Sequence, residues 1–410
     1  MKMCKWMPLL AMIAIGTVAT ADAESAAEAV LLPETPSSLA FAEDYDNADT
    51  EDDTKSSKKK KAKKDKKSKK RNVGKAAQQK RKELRDQGVR NVRAKSPSGW
   101  PTKIPVPEDT TLKQGEKQGQ FFVYETNNYI FFTPVEIDEN ACDTVGRLFE
   151  CAYAANKAVG EVLPVPRTEE DREGKKYRVE LWPTKQQYVA QGGSPTSAGV
   201  FVYSSRRMPG DTGPITEKTL ASDKVMVPFE SLGLSSDGHV AKNDIDTHVL
   251  VHELTHQNFV FNGLPIWCNE GWAEYVGYVP YVGEDLDFSR CFSVILHKAK
   301  EQSSHGALDF PFTLEEFLTM SQEEMYSYMG QGKDTYTLSA MIITFFVHLD
   351  GKKGVEALKK YMQALIDGES HEEAVKHLIE PHKSAEKLQK DFIKAWKSKK
   401  VPVSFKSAKD

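Results

Sequence analysis

The sequence predicts an α+β fold in two lobes, with a small mixed sheet and a histidine-bearing helix in the first and helices in the second. Three observations carry this expectation. Short runs between Phe121 and Phe229 alternate or cluster apolar residues in the manner of strands, and the spacing beyond Pro311 is helical almost to the end. Between them lie two helix-length segments, one between Thr247 and Asn262 and one from Pro265 to Gly277, rich in histidine and glutamate.

Taken in chain order, Lys2 and Lys5 precede an apolar stretch from Trp6 to about Thr20, and Ala21-Asp22-Ala23 follows. This reads as a secretory signal peptide over 1–23, cleaved after Ala23, because the apolar core is too short for a comfortable bilayer span. Cys4 lies too early to serve as a lipoprotein acceptor, and no later apolar run approaches membrane length, so the mature chain is expected to have no transmembrane span. Export would place the protein in the periplasm, at the cell surface or outside the cell.

Residues 24–99 cannot build a core. Glu43 to Asp53 is acidic, Lys55 to Arg71 is almost unbroken lysine, and no aromatic follows Tyr45 in either stretch. Such a block repels itself and is expected to be disordered, either as a solvated spacer or pro-segment or as an attachment to a polyanionic envelope polymer. Without interleaved aromatics it has no means of stacking on bases, which argues against specific nucleic-acid binding. The net charge of −3 therefore hides two opposite contributions, and without the lysine block the remainder is clearly acidic.

From about residue 100 the chain has enough apolar residues for a core. Phe121 to Tyr124 and Tyr129 to Phe132 flank Asn127-Asn128 and predict a hairpin; Val145, Leu148, Phe149, Ala152 and Tyr153 form a helical stripe; Tyr177 to Trp182 alternates as a strand. Further strands are expected at 199–203 and 224–229. The expected division is a lobe over 100–300 and a helical lobe over 301–410. Cys142 and Cys151 share the first helix, about 13 Å apart along its axis, too far to bond to each other. Any disulfide would involve Cys268 or Cys291, and free buried thiols fit as well.

The central segments hold the chemistry. In His252-Glu253-Leu254-Thr255-His256, helical spacing puts both imidazoles on one face with Glu253 beside them. Asp244, Asp246 and Thr247 offer cap oxygens before this helix, and Asn262-Gly263 offers a stop after it. Pro265 opens a second helix running through Trp267 and Trp272 to Gly277, expected as an antiparallel neighbour. On it Glu270 and Glu274 are again four apart, so both carboxylates face one way, expected toward the histidines. A tetrahedral catalytic zinc takes three protein ligands and one water, and one Zn2+ per chain is expected. The third histidine of a metzincin is absent, since Asn262 and Phe259 stand where His and Gly would be needed. His248 is expected as a helix-face histidine or a hydrogen-bond donor behind the ligands. Cys268 would point off the Glu270 face.

These helices resemble the gluzincin branch of zinc peptidases, the thermolysin-like and M1-aminopeptidase-like enzymes, and most of all the bacterial peptidase-MA-like superfamily. The shared pattern is His252-Glu253-Leu254-Thr255-His256 followed by Pro265-x-Trp267-x-x-Glu270-Gly271-x-Ala273-Glu274-Tyr275. The resemblance implies a zincin-like two-lobed fold with Glu270 as third ligand and Glu274 orienting His252, although Glu274 could replace Glu270 in the ligand set. Glu270 follows His256 by fourteen residues, shorter than in thermolysin-like or M1 enzymes and typical of the MA-like group. It further implies that Glu253 is the general base and that a downstream tyrosine, here Tyr336 behind the capping Asp334, either donates to the oxyanion or merely packs. The substrate would be a peptide or protein lying as an added strand on a sheet edge formed by 199–203 or 224–229. The function expected is thus a secreted zinc peptidase. The alternative is a catalytically weak cell-surface interaction protein on the same scaffold, for which an intact Glu253 would have no use.

Overall fold

The computed structural model describes residues 28–31, 99–164, 172, 174–195, 197–205, 220–241, 247–259, 264–279, 281–282, 285–332 and 334–406. The expected signal peptide, the lysine run, the cap acids Asp244 and Asp246 and the stop at Asn262-Gly263 lie outside these residues.

The first part of the chain alternates strand and helix: β1 (Glu28–Leu31), β2 (Lys103–Pro105), β3 (Lys113–Gln114), β4 (Phe122–Glu125), β5 (Tyr129–Thr133), α1 (Glu139–Gly160), β6 (Tyr177–Trp182), α2 (Lys185–Ala190), β7 (Val200–Ser205) and β8 (Leu220–Pro228). The middle contains α3 (His248–Phe259), α4 (Ile266–Gly277), β9 (Tyr281–Val282), β10 (Asp285–Asp287) and α5 (Phe288–Gln302). The rest is helical apart from two short strands: β11 (Leu308–Phe310), α6 (Leu314–Thr319), α7 (Gln322–Gly330), α8 (Thr335–Thr344), α9 (Lys352–Ile366), α10 (His371–Ile379), α11 (Ala385–Ser398) and β12 (Val403–Phe405). This is an α+β protein with a mixed sheet, and no helix among the described residues is long and apolar enough to cross a membrane.

Seven strands form the main sheet in the order β1-β7-β8-β6-β5-β4-β3. β5, β6 and β8 run parallel, joined by crossovers through α1 and α2, while β7 lies antiparallel to β8. Strand parity sorts the two faces. Phe131, Val179, Leu181, Phe201, Tyr203, Val225 and Val227 enter the main core beneath α1 and α3, whereas Trp182, Val200 and Met226 form a small cluster with Tyr188 of α2 on the other side. The run 224–229 is therefore central, which removes it as a candidate edge; 199–203 falls on β7, next to the outermost β1.

The predicted hairpin is β4–β5, and its turn is tied to α1. Buried Glu150 accepts from the Asn128 backbone N–H at 2.9 Å and from its Nδ2 at 2.6 Å, a reason for a carboxylate to occupy an interior position. Asp138 caps α1 by accepting from the Ala141 N–H. Asp334 caps α8 in the same way through the Thr337 N–H, placing Tyr336 in its first turn. The apolar core runs without a break from Trp100 to Val403; α8 packs directly on α4, and α9 reaches it where Tyr361 meets Trp267. All four cysteines after Cys4 are buried and free, and Cys268 faces Met362 of α9, with its sulfur 3.9 Å from that thioether.

Candidate metal centre

α3 and α4 lie antiparallel, as their contacts show in register: His256 meets Glu270, His252 meets Glu270 and Glu274, and His248 meets Glu274. His252, His256 and Glu270 converge on one point in the interior. The two Nε2 atoms are 3.0 Å apart, and Glu270 Oε2 lies 3.1 Å from that of His252 and 3.5 Å from that of His256. Ligands about 2.0–2.1 Å from a tetrahedral ion are separated from each other by about 3.3 Å, which these three distances bracket.

The far side of each ring is held. His252 Nδ1 lies 3.3 Å from Glu274 Oε1, and His256 Nδ1 lies 3.2 Å from Asn269 Oδ1. An acceptor at Nδ1 favours the tautomer protonated there, so both Nε2 lone pairs face the same point. Two such lone pairs at 3.0 Å repel unless something positive sits between them. Glu270 Oε2 has no water contact and no hydrogen bond of acceptable geometry, so the donor set fits a cation such as zinc.

The carboxylates also set the charge of the rings they face. Burial opposes charge on His252, but Glu270 and Glu274 overcome it and raise its pKa to about 10. Glu270 is likewise buried against its own charge, yet His256 and His252 pull it down to about 2. Glu274, also buried, is held well below the usual carboxylate range by His248 and His252. His248 stacks on Tyr278 at 4.0 Å and touches Glu274, so it stands behind the three converging groups.

Glu253 sits beside this point. Its Oε2 accepts the Phe201 backbone N–H of β7 at 3.0 Å, and burial raises its pKa against the pull of His256 and His252. Tyr336 comes from α8: its ring centroid is 6.2 Å from that of His252, and its buried hydroxyl has the Tyr326 phenol as its polar neighbour. Burial, then the charges of Glu270 and Glu253 with Tyr326 beside them, push its pKa well up. The structure thus brings together His252, Glu253, His256, Glu270, Glu274 and Tyr336.

Two neighbours went unrecognised in the sequence. Asn269 precedes Glu270, and the His256 ring it meets could have flagged it, since two helices that present Glu270 also present the residue one step round. Tyr326 of α7, partly buried, accepts from Gln322 Nε2 at 3.3 Å; burial and the charges of Glu270 and Glu253 raise its pKa, which places a second phenol at the centre. Nothing in its local pattern distinguishes it from a packing tyrosine. No protein-family model, curated protein or solved structure matches this chain.

Proposed function

We propose that this protein is a zinc-dependent peptidase of gluzincin type, with the zincin-like arrangement that its central helices resemble. The observation that carries the reading is the pair of imidazoles locked at Nδ1 with both Nε2 atoms and an unsatisfied carboxylate oxygen aimed at one buried point. His252, His256 and Glu270 would hold one zinc ion. When bound, zinc supplies a Lewis acid that polarises a carbonyl and makes a neighbouring water acidic near neutral pH.

The remaining steps belong to the chain. Glu253 lies between the two histidines in sequence and sits beside them against β7, where the Phe201 N–H holds one oxygen. Its carboxylate takes a proton from the attacking water and returns it to the leaving amine, a task suited to a carboxyl whose pKa burial raises. Tyr336 supplies its hydroxyl to the oxygen that gains charge as the carbonyl is attacked. The β7 backbone beside Glu253 offers an extended peptide its hydrogen bonds. Export through the signal-like N-terminus would put this activity outside the cytoplasm.

The test uses zinc analysis by native mass spectrometry together with digestion of a broad peptide library. The expected result is one zinc per chain in both the wild type and Glu253→Gln, with cleavage by the wild type alone, because the substitution removes the base and spares the ligands. Absence of zinc after reconstitution, or near-normal turnover by Glu253→Gln, overturns the reading. Zinc binding with no cleavage by the wild type would favour an interaction protein on the same scaffold.

A further inference from the structure

The backbone edge of β7 that reaches Glu253 already carries a strand from the same chain. β1 runs antiparallel to β7 with Glu28 opposite Ser205, Ala29 opposite Ser204, Val30 opposite Tyr203 and Leu31 opposite Val202. The other edge of β7 is taken by β8. Amides alternate between the two edges of a strand, so Tyr203 N–H points to the same side as Phe201 N–H. The Phe201 N–H donates to Glu253 rather than to β8. One edge therefore serves both the candidate base and β1, two residues apart.

Direction strengthens this. β1 runs toward the centre and its last residue, Leu31, pairs one position before Phe201. An extended peptide that passes Glu253 along this edge would need the same β7 backbone groups that β1 now uses.

We propose that Glu28–Leu31 is a built-in occupant of the peptide edge of β7, an autoinhibitory strand that must be displaced or removed before another peptide can dock. The proposal rests on the peptidase reading for its consequence, but the occupancy itself needs no catalysis. Its residues Ala29, Val30 and Leu31 are uncharged, and the competing peptides it resembles are extended segments with small and aliphatic side chains. Because the occupant is tethered, it competes at a high local concentration without needing a tight intrinsic contact.

Alternation also supplies the control. Tyr203 N–H faces β1, so Val30 opposite it exchanges hydrogen bonds with β7, while the Ala29 N–H points to the open side. Proline removes an N–H donor and is tolerated only where that donor is unused. In the full-length protein Val30→Pro should break the pairing, whereas Ala29→Pro should keep most of it. Hydrogen exchange at the Tyr203 amide, with β6 amides reporting that the sheet remains folded, reads occupancy. Fluorescence anisotropy with a labelled peptide copying residues 26–33 (Ala-Ala-Glu-Ala-Val-Leu-Leu-Pro) reads access to the edge.

Relative to wild type, Val30→Pro is expected to expose the Tyr203 amide and to bind the probe on the order of tenfold more tightly, with Ala29→Pro near the wild type. Hydrolysis of added peptide should gain through a lower KM with kcat unchanged. Equal Tyr203 exchange or equal probe affinity in wild type and Val30→Pro overturns the proposal. If exchange and binding respond while neither protein cleaves peptide, the occupancy stands and the peptidase reading falls.

Discussion

Glu274 shows how much one side chain can settle. Its two oxygens bridge His252 and His248, so it fixes the tautomer of a ligand and anchors the start of α3 together. Glu274→Ala should lower zinc affinity by about 10–100-fold, measured by competition with a chromophoric chelator, while one-to-one stoichiometry remains at saturating zinc. Asn269→Ala should act in the same direction through His256. The phenols make a different prediction. Tyr336→Phe should reduce kcat by about 10²–10³-fold with little change in KM or zinc content, since a bond to a developing charge matters only as that charge forms. If Tyr336 merely packs, the phenylalanine variant will have unchanged steady-state kinetics. Tyr326→Phe should give a smaller loss, because Tyr326 is only partly buried and already accepts from Gln322.

At the scale of elements, the closeness of α4 and α8 decides whether Tyr336 reaches the centre. Gly271 of α4 makes that closeness available: a Cβ there would stand 2.8 Å from the Ser339 carbonyl oxygen and 2.9 Å from Ile343 Cγ1. Alanine is the better helix former by about 1 kcal/mol, but a backbone carbonyl within a packed helix yields little, and overpacking costs about 1–3 kcal/mol. Gly271→Ala should therefore lower the denaturation midpoint in urea. It should also reduce kcat more than zinc affinity, because all three converging ligands lie on α3 and α4 while Tyr336 moves with α8. A midpoint at or above that of the wild type would mean that α8 shifts without cost. A second constraint of this kind is Gly277, where a Cβ would meet His248 Cδ2 at 2.9 Å.

Across the whole molecule, one buried hydrogen-bond chain joins the segment before β2 to α4 and to the π-helical turn Phe345–Leu349 after α8. Trp100 Nε1 donates to the Tyr275 hydroxyl at 3.0 Å, and that hydroxyl shares a hydrogen bond with His348 Nε2 at 2.8 Å. His348 is buried with no charged partner among the described residues, and burial pushes its pKa down from 6.5 to about 4. In the unfolded chain it regains its ordinary value, so between these two values the unfolded state binds more protons. Stability is thus undiminished above pH 6.5 and falls as the pH drops toward 4, by about 3 kcal/mol from this residue. His382, raised by Asp350 and Asp391 despite burial, works the other way: its contribution is full at low pH and is lost as the pH rises through its native value. His348→Gln keeps an acceptor that does not ionise. Thermal melts from pH 7 to 4.5 should show the wild type losing stability relative to this variant, and a constant difference across the range would refute the assignment.

The sequence by itself determined what backbone periodicity controls. Four-residue spacing placed His252 with His256 and Glu270 with Glu274, Asp334 announced the helix that begins next to Tyr336, and alternation marked β4, β5 and β6, because each depends on a few neighbouring residues. Only the tertiary structure decided that 224–229 lies centrally and that 199–203 is flanked by β1, that Asn269 braces the second imidazole, that Tyr326 joins Tyr336, and that Glu28–Leu31 lies along β7. Each of these pairs residues remote in sequence or on different elements. Their meeting is set by how helices and strands bury their apolar faces against one another, and no local spacing encodes that.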